Sequence, residues 1–262
     1  GDLDEQKNMT QKCLVLPWIE PALPGSGELN EDAVMLTVGK LRRLEVPGDC
    51  IAITSGIDIG ERVIHFVKRA WAASGATHLI DYGVKQTALA SAGMKRDLSD
   101  KQWIQTREQM VTDALDQVWA HLNEKDAPAM TYIDSGHMSE EVYAWVASKK
   151  SRALRPVKGL GSSKRGNVGQ WTDACEKKAQ KCRDGKFRPL RHQYYSTDED
   201  GRENDPRKLV FLHADHWKKE VHAGIRYTVL FKQADGPKIE NGPWFFVYAG
   251  MKHNDVYVSQ VV

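Results

Sequence analysis

Cysteine is scarce in this chain, with four in 262 residues. Cys13, Cys50, Cys175 and Cys182 form no Cys-x-x-Cys pair, which excludes a disulfide-stapled scaffold. Cys175 and Cys182 with His192 carry metal-binding atoms, but their spacing fits no common zinc pattern. No apolar run approaches the ~20 residues that a membrane-spanning helix needs, so no membrane partner is expected. A phosphate-binding loop is missing too, because Gly159-Leu160-Gly161-Ser162-Ser163-Lys164 lacks the Gly-Lys-Ser/Thr ending. No segment repeats, which argues against a solenoid. There is also no overall excess of one charge, since the net charge is only +2.

Charge is instead concentrated locally. From Lys149 to Arg191 there are 14 Lys and Arg against Asp173, Glu176 and Asp184, a local charge of +11. Such a stretch suits a polyanion, or else forms a solvated basic loop. Two further segments stand out, Gly56-Ile57-Asp58-Ile59-Gly60 and Tyr132-Ile133-Asp134-Ser135-Gly136. Each is a β-branched apolar run that brings an Asp towards a strand end, followed by a small residue. Paired carboxylates of this kind can hold Mg²⁺ or Mn²⁺, which favour oxygen ligands completed by substrate phosphates. On its own, each Asp reads rather as a turn cap after a buried strand than as a ligand.

The pattern along the chain predicts an α/β core. Residues 1–50 read as an approach segment, punctuated by Pro17, Pro21 and Pro24, with a helix from Glu31 to Leu44 capped by Asn30. Strands follow at 51–57, 62–71 and 77–82, and Gly60-Glu61 signals a hairpin, so these three form an antiparallel meander. Ile104, Val111, Leu115, Val118 and Leu122 mark a helix over 97–122. A strand at 131–134, a helix capped by Ser139 and a strand at 153–158 come next. Residues 161–207 lack a period and read as a long insertion. A strand at 208–213, a helix capped by Asp215 and a strand at 244–249 close the pattern. This order is that of a ribonuclease H-like fold, a central mixed sheet flanked by helices, with the first and fourth strands side by side.

At these residues the chain resembles the nuclease domain of the large terminase subunit of tailed bacteriophages, lambda type. The resemblance rests on an ordered set of segments, none specific alone. Leu16-Pro17-Trp18-Ile19-Glu20-Pro21 is similar to the end of the linker after the ATPase, and Val46-Pro47-Gly48 with Thr54-Ser55-Gly56-Ile57-Asp58-Ile59 to the nuclease opening. His78-Leu79-Ile80-Asp81-Tyr82-Gly83, Tyr132-Ile133-Asp134-Ser135-Gly136-His137 with Val142-Tyr143, Val157-Lys158-Gly159 and Asp215-His216-Trp217-Lys218 follow in order. The ATPase itself is absent, so the chain reads as a domain cut from a longer protein: a linker over 1–50 and a nuclease over 51–262 with the basic insertion at 161–207.

The resemblance implies a two-metal endonuclease that cleaves concatemeric double-stranded DNA during packaging. Asp58 and Asp134 are then metal ligands. The family's late Asn-Glu-x-x-Asp motif is missing, which leaves Asp215 and Asp255 as candidates for the third. Lys158 would contact the scissile phosphate or neutralise transition-state charge, or else is a solvated lysine, and His137 would position water or simply hydrogen-bond in its loop. Lys164, Arg165, Lys177, Lys178, Lys181, Arg183, Lys186 and Arg188 would track the DNA backbone without reading sequence. Trp171 and Phe187 read as core or loop anchors, with base stacking as the alternative. The implied partners are DNA, the small terminase subunit and the portal, in the cytoplasm of the infected bacterial host. Three rivals remain: another ribonuclease H-like enzyme of resolvase or transposase type, a non-catalytic DNA-binding or motor-docking module, and an actin-like ATPase.

Overall fold

The computed structural model describes residues 29–60, 62–87, 100–161, 170–172, 190–194, 208–232, 244–253 and 255–261. Among these residues the strands are β1 (Val38–Arg42), β2 (Cys50–Ile59), β3 (Val63–Ala72), β4 (Thr77–Gln86), β5 (Met130–Asp134), β6 (Leu154–Leu160), β7 (Leu190–Tyr194), β8 (Lys208–His213) and β9 (Phe245–Ala249). The helices are α1 (Glu31–Met35), α2 (Asp100–Glu124), α3 (Ser139–Ser148), α4 (Ala214–Lys232) and α5 (Val256–Val261). All nine strands join one sheet in the order β1-β9-β4-β3-β2-β5-β6-β8-β7. The expected meander is present, with β2, β3 and β4 antiparallel. β5 then runs parallel to β2, β6 parallel to β5, and β8 parallel to β6. The result is a mixed α/β fold with a central sheet flanked by helices. Among the described residues no helix is long and apolar enough to cross a membrane.

Alternation within the strands sorts side chains onto two faces. Ile57, Ile59, Ile64, Phe66 and Ile133 face α2 and α3, where Val111, Leu115, Val118, Leu122, Val142 and Trp145 complete a closed apolar core. Each fully buried aliphatic side chain there contributes about 1.5–3 kcal/mol. Gly83 belongs to this packing, since a Cβ on it would lie 2.3 Å from the Phe66 ring. The opposite face carries α1, α4 and α5, whose Val34, Ile225, Val229, Tyr257 and Val258 pack with Leu79, Phe245 and Val247.

Several local expectations need correction. The helix foreseen over 31–44 stops at Met35, and the chain re-enters the sheet as β1 beside β9. Asn30 does cap it, accepting the Ala33 N–H at 3.0 Å. Sheet pairing outweighs the weak helical pattern here, and Gly39 fits tightly, since a Cβ on it would lie 3.3 Å from the Val247 carbonyl. Ser139 does not cap α3. The preceding residue Met138 is left-handed at φ 56°, and the Ser139 hydroxyl donates back to the Ser135 carbonyl at 2.6 Å. Asp215 lies inside the first turn of α4, which starts directly after β8; the His213 Nδ1 accepts the His216 N–H at 3.3 Å in its place. The insertion at 161–207 is not wholly irregular, because β7 returns from it to pair antiparallel with β8. β2 and β4 run longer than foreseen, and α5 had no counterpart in the sequence pattern.

Candidate functional site

Strand register builds the site. Gly56 pairs with Tyr132 and Ile57 with Ile133 across the parallel β2–β5 ladder. One step further, Asp58 comes beside Asp134, on strands about 4.8 Å apart. Because Ile57 and Ile133 face the α2–α3 core, Asp58 and Asp134 point to the other face. There they line a cavity of about 310 Å³, together with Gly56, His65, Val67, Tyr82, Tyr132, Tyr257 and Val261. Gly56 lets the cavity form between Val67 and Tyr132.

Asp58 is exposed, whereas Asp134 is half-buried. Burial pushes the Asp134 carboxyl above the ordinary carboxylate range, and the Asp58 charge adds to the shift. The Gly136 N–H, which donates to Asp134 Oδ1 at 3.2 Å, and the Lys158 charge oppose it. Ser135, fully buried, ties the end of β5 to the Val157 carbonyl through its N–H at 2.8 Å and its hydroxyl at 2.9 Å. A Cβ on Gly136 would lie 3.3 Å from Asp134 Oδ2, so a small residue keeps the carboxylate accessible.

The other expected residues fall at varying distances from the pair. Asp134 pairs with Val157, so Val157 takes the cavity face and Lys158 turns towards α3, its Nζ 5.7 Å from the Tyr143 ring centre. Asp215 stands two strands beyond β5 along the sheet, after β8. Asp255 precedes α5 and accepts the Lys252 N–H at 2.8 Å, close enough to raise the pKa of Tyr82 and Tyr248. Among the described residues no three His, Cys, Asp or Glu side chains converge as a metal-holding group. His137 is exposed, and Trp171 is a buried anchor packed with Leu160 and Phe211. Lys164, Arg165, Lys177, Lys178, Lys181, Arg183, Lys186 and Arg188 lie outside the described residues, as do Phe187, Cys13, Cys175 and Cys182 and the side chain of His192.

Sequence reasoning missed the aromatic wall. His65 is directly opposite Asp58 on β3, and its Nδ1 lies 3.1 Å from the Tyr82 hydroxyl. Burial first, then Tyr248, Tyr257 and Asp255, push the Tyr82 phenol up to about 12. The Tyr82 and Tyr257 rings lie 5.0 Å apart. The half-buried Arg69 guanidinium donates to the Tyr257 hydroxyl at 3.0 Å and sits 3.8 Å over the Phe245 ring. The alternation of Val63–Ala72 puts His65 on one face of its strand, but only the β2–β3 register shows that this is the face of Asp58.

Several solved structures overlap part of this fold. One is an exopolyphosphatase from Cytophaga hutchinsonii, at 12% identity and a TM-score of 0.28, covering 40% of this chain and 34% of that one. Another is an Aquifex aeolicus member of the Ppx/GppA family, at 10% identity and a TM-score of 0.27, covering 43% of this chain and 44% of that one. The overlap thus spans less than half of either relative, and at these TM-scores it bears on neither fold nor chemistry. No curated protein matches the sequence. The family described as terminase large subunit gpA, endonuclease domain, matches residues 1–261, and the chain belongs to it.

Proposed function

We propose that this domain is a metal-dependent DNA endonuclease of a bacteriophage packaging terminase, cleaving concatemeric double-stranded DNA by two-metal phosphodiester hydrolysis. One observation carries the reading: Asp58 and Asp134, 76 positions apart in sequence, meet at the same end of neighbouring parallel strands in an open cavity. The meander followed by parallel β5 and β6 supports a ribonuclease H-like core. The donor set fits a hard cation, because two adjacent carboxylates offer only oxygen and repel each other until a cation neutralises them. Asp58 and Asp134 would hold Mg²⁺ or Mn²⁺, which when bound activates water and neutralises charge on the phosphate. Asp215 and Asp255 stay candidates for a third carboxylate.

The remaining assignments follow the family. Residues 51–262 form the nuclease with its basic insertion at 161–207, and residues 1–50 link it to an ATPase domain while lending β1 to the sheet. The basic insertion tracks the DNA backbone, the small terminase subunit and portal complete the machine, and the setting is the host cytoplasm. A second reading, a DNA-binding or motor-docking module without catalysis, draws on the lack of a three-ligand group among the described residues.

Supercoiled plasmid with Mn²⁺ or Mg²⁺ separates the two. Metal-dependent nicking that falls by about 10³-fold in Asp58→Asn and in Asp134→Asn is the expected result. Plasmid left intact by the wild type, or cut equally by both variants, would favour the docking module.

A further inference from the structure

We infer that this cavity holds a nucleobase of the DNA as well as its phosphate. The scissile phosphate lies at Asp58 and Asp134, and the adjoining base enters the trough over Gly56. This rests on the phosphodiester-cleavage reading of the same site and deepens it. Register divides the cavity wall into two rows across the sheet. Asp58 and Asp134 belong to the outer row. Two positions back along the strands, Gly56 pairs with Val67 on β3 and with Tyr132 on β5, which makes an inner row. Both rows line the cavity. At the ordinary strand rise they lie about 6.5–7 Å apart, comparable to the sugar that separates a phosphate from its base.

The inner row differs from the outer in chemistry. It carries no charged side chain, and so offers nothing to a second phosphate or to a cation. Its walls are the aliphatic Val67 and the Tyr132 ring, and α5 adds Tyr257 and Val261. Gly56 supplies the gap between them. Among the described residues only Val67 Cγ1 would lie within 4 Å of a Cβ placed there, at 3.3 Å. Apolar and ring surfaces of this kind receive the face of a base, and they do so for any base because every base has a π-face. Tyr257 is held in place, since the Arg69 guanidinium donates to its hydroxyl at 3.0 Å and to the Thr77 hydroxyl at 2.7 Å. The cavity of about 310 Å³ is near the lower bound of ligand sites, ~300 Å³, and suits one nucleotide rather than a stacked duplex. A base in the trough has therefore left its own stack, which is easiest where it is unpaired or mismatched.

The test uses the whole chain with Mg²⁺, and binding is followed by isothermal titration calorimetry. Thymidine 5′-monophosphate should bind about tenfold tighter than 2-deoxyribose 5-phosphate, which lacks the base. Gly56→Ala should bring the two to equal affinity with little change in the unfolding midpoint. On a labelled duplex carrying one T·T mismatch, cutting should be about tenfold faster beside the mismatch than at paired positions. Equal affinities in the wild type, no binding of either compound, a difference that survives in Gly56→Ala, or even cutting along the duplex would overturn the inference. If the wild type cuts no DNA, the cleavage reading fails separately, and the two affinities alone decide whether the trough takes a base.

Discussion

Asp81 and Asp134 both sit on strands of the same sheet, and their carboxylates are satisfied in opposite ways. Asp81, 1% exposed, accepts from Arg43 Nε at 2.6 Å and lies 2.6 Å from His121 Nε2. It thereby ties β4 to the segment after β1 and to the last turn of α2. Across the ladder Lys68, also buried, donates to the carbonyls of Leu122 and Lys125 at the end of that helix, where the macrodipole favours a cation. Burial lowers the Lys68 pKa, and the charges of Asp126 and Asp81 partly offset it. Asp134, by contrast, receives backbone N–H groups and faces a second carboxylate. A carboxylate held by basic side chains of its own chain is spoken for structurally. A like-charged pair in an open cavity is balanced by something that binds.

The comparison breaks most visibly in stability. Asp81→Asn should cost about 3 kcal/mol in urea unfolding, because it removes the buried carboxylate that Arg43 and His121 address and whose charge offsets the burial of Lys68. A loss under about 1 kcal/mol would mean that half-exposed Arg43 simply turns to solvent, and Asp81 would lose its structural rank.

Asp134→Asn should move the other way. A carboxyl whose folded pKa is raised favours the folded state most at low pH. That contribution is lost as pH rises from the ordinary value of 3.8 through the raised one. At pH 7 without divalent ions, Asp134→Asn should therefore melt higher than wild type, by about 1–3 °C. The gain should vanish below pH 3.8, and Mg²⁺ should stabilise only the wild type. A variant less stable than wild type at pH 7 would place Asp134 in the same class as Asp81.

The smallest effect sharpens the shape of the site. A Cβ at Gly56 would lie 3.3 Å from Val67 Cγ1, so a slight shift of Val67 accommodates it. Gly56→Ala should leave stability within about 0.5 kcal/mol while cutting falls by roughly tenfold. Unchanged cutting would show that substrate does not reach the cavity floor.

The sequence by itself carried the local elements. β-Branched apolar runs and the Gly60-Glu61 turn signal marked the meander and the strand at 131–134, and helical spacing of Val111, Leu115, Val118 and Leu122 marked α2. Both acidic motifs were legible for the same reason, since a β-branched run ending in Asp and Gly is a local pattern. Tertiary structure decided everything that depends on which strand lies beside which. Only the ladder shows that Asp58 meets Asp134, that His65 joins them and that Lys158 turns away, because side-chain direction follows register and one step reverses it. β1 escaped the sequence for a related reason: its stability comes from pairing with β9, some two hundred positions later, which no local propensity records.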